Sequence, residues 1–220
     1  MKRKTAYVFS VSSIALCLNL TAVELDRSVM SQAYWDVWND GLQGRIDADI
    51  ERYRQTDATF EVAAPDGAEV KVEQIDHAFF FGAHTFNFNQ LGKKEWNDRS
   101  EITITAPDNS TTGQMVQAII LRNLYRLWFS MEKIEGITWW NVVDNCGAPG
   151  EPSISGIFTR DMQPKTAYFA MDDLINGEWK TRLTVKAHEG NVSFRGFRGR
   201  YRLKWIDADG NNQSKTVELK

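Results

Sequence analysis

Six consecutive residues without a polar side chain, Ala78-Phe79-Phe80-Phe81-Gly82-Ala83, constrain this chain more than any other stretch. A strand with one wet face alternates apolar and polar positions. A strand that is apolar on both faces of its pleat reads as one buried on both, as in a parallel sheet covered by helices. Ile137 to Val143 is a second buried strand. Gly113 to Met131 is a strong helix, with Met115, Ile119, Leu124, Leu127 and Trp128 packing one side and Arg122 and Arg126 on the other. Another helix opens at Pro164, whose missing N–H costs nothing in a first turn, and runs to about Asn176, with Gly177 as its C-cap.

The rest of the chain has other periodicities. Val29 to Tyr53 is helical: Tyr34, Trp35, Val37, Trp38, Leu42, Ile46 and Ile50 fall mostly at three- and four-residue spacings. Ala58 to Ile75 reads as a hairpin of two alternating runs around Pro65-Asp66-Gly67, where proline presets φ and glycine tolerates positive φ. From Thr181 onward four short runs, at 183–186, 192–194, 201–205 and 216–219, read as strands, with Asp209-Gly210 and Asn211-Asn212 as turns. Arg195, Arg198, Arg200 and Arg202 cluster there and read as a solvated strand face, the alternative being a sugar- or polyanion-binding surface. Between these regions Ser100-Glu101-Ile102-Thr103-Ile104-Thr105-Ala106-Pro107 places a carboxylate at the head of a β-branched run that Pro107 stops.

The order of three stretches carries a resemblance. Glu101 heads its strand; Gly136-Ile137-Thr138-Trp139-Trp140-Asn141-Val142-Val143-Asp144 follows; then Asp161-Met162-Gln163-Pro164-Lys165-Thr166-Ala167-Tyr168-Phe169-Ala170 opens a helix. This resembles the C-terminal part of glycoside hydrolase family 10, the endo-β-1,4-xylanases, and His77 to Ala83 resembles that family's first barrel strand. The resemblance covers roughly Arg45 to Thr181 in two blocks. It implies that Glu101 is the catalytic nucleophile at the end of barrel strand seven, and that Trp140 on strand eight stacks on substrate sugar. It implies no metal and no cofactor, and His77 with His84 lacks the acidic or Cys partner a metal site needs. Trp35-Asp36-Val37-Trp38-Asn39-Asp40 is similar to the family's acid/base motif, but it ends in Asp and lies inside the first helix, so Asp40 does not take that role.

The family's middle is missing. A complete (β/α)8 barrel takes ~250 residues and one strand–helix–strand unit roughly 30. Only 19 residues separate Phe81 from Glu101, too few for five units. The expected fold is therefore α/β: a partial (β/α)8 barrel of strands one, seven and eight with their helices (residues 23–180), an N-terminal hairpin within that region, and a small C-terminal antiparallel β appendage (residues 181–220). Losing the arc leaves two unpaired sheet edges that promote self-association.

The resemblance implies a glycoside hydrolase-like protein acting on β-1,4-linked plant polysaccharide by a retaining mechanism. That chemistry needs two carboxyl groups about 5–5.5 Å apart. Glu101 matches one and nothing matches the other, so the chain is expected to be weakly active or inactive. The alternative is a non-catalytic carbohydrate-binding or surface protein using Trp140 and the C-terminal β region.

Residues 1–22 read as a secretory signal: Lys2, Arg3 and Lys4, an apolar stretch from Ala6 to Leu20, and Ala22 for cleavage. Export is the expected localisation, with no membrane attachment after removal. Loss of the three cations would shift the net charge from −3 to −6, which gives no electrostatic footprint for nucleic acid. It would also leave Cys146 as the only thiol, so no internal disulfide forms.

Overall fold

A computed structural model describes residues 23–83, 109–147, 150 and 153–220. Among them are four α-helices, α1 (Gln32–Val37), α2 (Asp40–Arg54), α3 (Thr111–Ser130) and α4 (Thr166–Asp172). Eight strands accompany them: β1 (Gln55–Glu61), β2 (Glu69–His77), β3 (Phe80–Ala83), β4 (Gly136–Trp139), β5 (Arg182–Lys186), β6 (Asn191–Phe197), β7 (Gly199–Ile206) and β8 (Asn212–Leu219). None of the described helices is long and apolar enough to cross a membrane.

The partial (β/α)8 barrel is overturned. The strands form three sheets, and two of these are antiparallel: β1–β6, and a four-stranded sheet in the order β5-β2-β7-β8. Among the described strands the single parallel pair is β3 with β4, four residues each, in the register Phe80↔Gly136 to Ala83↔Trp139. Strands and helices do not alternate as a barrel requires. The physical reason lies in the alternating runs. β6 and β7 each present a dry face, with Val192, Phe194, Tyr201, Leu203 and Trp205 all buried. Such faces need a second layer: those of β6 and β7 pack on each other, with the Phe194 and Tyr201 rings 5.1 Å apart, and β1 and β2 extend the two layers as hydrogen-bonded neighbours.

The expected hairpin at 58–75 is overturned for the same reason. Pro65 to Ala68 does turn, with the Ala68 N–H donating to the Pro65 carbonyl at 3.0 Å, but β1 and β2 enter different sheets. The turn is an inter-sheet corner. Val62, Val70 and Val72 pack into one core with Val192, Leu203 and Trp205. The C-terminal strands thus lie in both layers of a sandwich that β1 and β2 complete, one in each layer, and are not an appendage that closes on itself.

A second core gathers the helices. α3 buries Ala118, Leu121, Tyr125 and Phe129, at three- and four-residue spacing, against Ile46 and Ile50 of α2 and Ala167, Ala170 and Leu174 beyond β4. Ser110 caps α3 by accepting from the Gly113 N–H at 3.1 Å. The Phe129 ring stacks on Trp179 with centroids 4.1 Å apart. The single helix expected at 29–53 is broken at Asn39, whose side chain accepts from the Leu42 N–H and so starts α2 afresh. Past Asp172 the last helix widens into a π turn over Asp173–Glu178, and Gly177 lies inside that turn, with Trp179 as the cap.

The two cores meet at Gln74 and His77, at the end of β2. Gln74 is 1 % exposed; its Oε1 accepts from the Thr181 N–H at 3.1 Å and its Nε2 donates to the Arg198 carbonyl at 3.2 Å. The same Nε2 lies 3.2 Å from His77 Nδ1, so the neutral ring serves as acceptor there. Burial pushes the His77 imidazole down from about 6.5 to about 4, with only partial opposition from the Ile175 backbone. The unfolded chain takes its proton near 6.5, the folded chain only near 4. Between these values the unfolded state binds more protons, so stability falls as pH drops from about 6.5 to about 4. The gap caps the loss at roughly 3 kcal/mol. Urea midpoints should therefore fall between about pH 7 and pH 4.5, and fall less in His77→Gln. An equal fall in both proteins would remove His77 from the account.

Candidate functional site

Because β3 and β4 are parallel, both strands end on the same side of the molecule, the side where parallel sheets usually place their sites. Ile137 on β4 is 6 % exposed and packs inward. Trp139 also turns inward, packing near Tyr125 and donating its indole N–H to the Asn141 carbonyl at 2.8 Å. Trp140, one residue past β4, turns out and is 51 % exposed.

Directly beyond Trp140 the chain is pinned from below. Asp144 is 3 % and Lys165 1 % exposed, with Lys165 Nζ 3.1 Å from Asp144 Oδ1 and 3.3 Å from Oδ2. The Gly156 N–H donates to Oδ1 at 2.9 Å and the Asn109 amide to Oδ2 at 2.9 Å. The third Lys165 donor goes to the Ile154 carbonyl at 3.0 Å. Gln117, from α3, adds its amide to the carbonyls of Ser155 and Gly156 at 3.1 and 3.0 Å. Burial pushes the Asp144 carboxyl above its ordinary value, while the Lys165 ammonium and the Asn109 and Gly156 donors hold it back. With both oxygens engaged and no access to solvent, this carboxyl cannot reach a substrate. It anchors the loop that leaves Trp140.

Glu101 lies outside the described residues, as do Asn87, Asn89 and Gln90 in the loop after β3, so no geometry relates them to Trp140. Asp40 opens α2 as an exposed first-turn residue, in keeping with its helical reading. The sequence reading missed the clamp. Its signal was an Asp closing an apolar run and a Lys standing where a helix start would favour a small polar cap. No model of a known protein family matches the chain, and no curated protein matches it. The xylanase resemblance therefore rests on the residues quoted for it.

Proposed function

We propose that the chain is a carbohydrate-binding protein related to the endo-β-1,4-xylanases, which holds β-1,4-linked plant polysaccharide through Trp140 and cleaves it weakly or not at all. The observation that carries this reading is the outward Trp140 indole at the C-terminal end of β4, beside a Trp139 that takes the packing role. An indole face suits the apolar face of a pyranose ring, and the rigid clamp beneath reduces the ordering cost of binding. Weak cleavage follows from the carboxyl chemistry. Glu101 needs a partner about 5–5.5 Å away, and Asp144, close in sequence to Trp140, is consumed by Lys165. General acid–base assistance is worth ~10²–10⁴ in rate, and its loss leaves little turnover.

Affinity electrophoresis in xylan-containing gels tests the binding. The native protein should be retarded and Trp140→Ala should run free, a loss of about tenfold in affinity or more. An unretarded native protein would remove the binding reading. Release of xylo-oligosaccharides that disappears in Glu101→Gln would replace it with a working hydrolase.

A further inference from the structure

A cavity of about 560 Å3 opens where β3 and β4 begin, at the ends opposite to Trp140. It is lined by Tyr53, Phe79, Phe80, Phe129 and Phe197, together with Arg54, Arg198 and Glu135 among others. That size falls in the range of small-molecule sites, and the composition, an aromatic lining with a few charged groups, is typical of them.

Three features make it more than a gap in packing. The first is Phe80. The reading of 78–83 as a strand covered on both faces fails here, because Phe80 is 62 % exposed. Its ring lies against the backbone of two glycines: a Cβ at Gly82 would come within 2.5 Å of the ring, and one at Gly136 within 2.9 Å of the Phe80 Cβ. The pair of glycines leaves room for an aromatic ring lying on the sheet, and Phe80 lines the cavity. The second feature is Arg54. It is fixed by donating to the carbonyls of Phe129 (2.6 Å), Ile134 (2.8 Å) and Met131, and it sits 4.7 Å over the Phe79 ring. Its charge is built into the wall. The third is Arg198. Its backbone is held on both sides, by the Arg54 carbonyl and the Ala78 N–H at 2.9 Å each, while its guanidinium makes no hydrogen bond or ion pair with any described residue. Two cations thus line an aromatic cavity against one carboxylate, Glu135.

We propose that this cavity binds a small aromatic carboxylate, its ring stacked on Phe80 and its carboxylate paired with the Arg198 guanidinium. A planar anion matches both requirements together: offset stacking on an exposed ring, and the bidentate fit of a guanidinium to a carboxylate. A neutral aromatic would satisfy the first alone. A sugar would satisfy neither as well, which separates this site from the one at Trp140.

The probes are 1-naphthoate and its uncharged counterpart 1-naphthalenemethanol, titrated calorimetrically into the full chain. The acid should bind roughly ten- to a hundredfold tighter than the alcohol, the worth of one charge-assisted hydrogen-bonded pair. Arg198→Gln should erase that difference and leave the alcohol unchanged. Phe80→Ala should weaken both, and Glu135→Gln should tighten the acid alone. Near-UV circular dichroism unchanged from the native chain shows that each variant is folded. Equal affinities for acid and alcohol in the native chain would overturn the proposal. So would a preference that survives Arg198→Gln, or the absence of saturable binding by either probe.

Discussion

Replacing Lys165 by Met should destabilise the protein by about 3–5 kcal/mol, the usual result of stranding one half of a buried ion pair. Met keeps most of the volume and flexibility of the Lys stem, so the variant tests charge rather than packing. The Asp144 carboxylate would stay at 3 % exposure with the Asn109 and Gly156 donors but without its cation, and the Ile154 carbonyl would lose its donor. Removing both charges in Asp144→Asn/Lys165→Met should recover more than half of the loss, because the amide oxygen still accepts from Gly156 and nothing charged remains buried. Urea denaturation of the native, single and double variants measures this. The single loss should persist at about 1 M salt, since a buried pair is barely screened. Arg200 with Asp76, 60 % and 53 % exposed, should by contrast contribute little at any salt. A Lys165→Met variant within about 1 kcal/mol of native stability would mean that the clamp does not hold the loop.

Local structure was largely legible in the sequence, and pairing was not. Three- and four-residue spacing marks the helix at α3, but of the side expected to pack only Ile119 is fully buried, and the face centred on Ala118, Leu121, Tyr125 and Phe129 is the one that enters the core. The alternation in β6 and β7 marks strands as firmly. Alternation, however, says only that a face must be covered, not by which residues. β2 pairs with β5 and β7, which lie more than a hundred residues away, instead of with β1 across a good turn. A turn signal reports on a few residues; the sandwich core decides where the arms go. The resemblance also drew attention to a parallel arrangement that, among the described strands, only β3 and β4 adopt. Phe80 shows the limit of composition: an apolar run states what could be buried, and this ring is not. At the candidate site Ile137 is buried and Trp140 exposed, but the sequence singled out Trp140 through the resemblance alone. The Asp144–Lys165 pair was invisible because both residues read as ordinary polar ends of apolar elements. Glu101 lies where no structural statement bears on it.

Gly199→Ala should cost about as much as the broken ion pair, on the order of 3–5 kcal/mol, through the backbone alone. Gly199 starts β7 with φ at +145°, and a Cβ there would come 2.1 Å from the Asp76 carbonyl oxygen and 3.0 Å from the Ala78 nitrogen. Neither neighbour can give way. Asp76 sits just past the register shift of β2, where it pairs with Arg200 of β7, and the Ala78 N–H is held by the Arg198 carbonyl. Relief would require pulling β7 off β2 at His77↔Gly199, and that movement would disturb Gln74 and the contact between the two cores. Two other glycines separate the causes. Gly67 also has positive φ (+78°) but open space around it, so Gly67→Ala should cost only about 1 kcal/mol of backbone strain. Gly177 has open space and no positive φ, so Gly177→Ala should be neutral or slightly stabilising. Thermal and urea unfolding should therefore rank the three Gly199 ≫ Gly67 > Gly177. If Gly199→Ala and Gly67→Ala cost the same, conformational strain alone would account for both, and the close approach of β7 to β2 that joins the two cores would have to be abandoned.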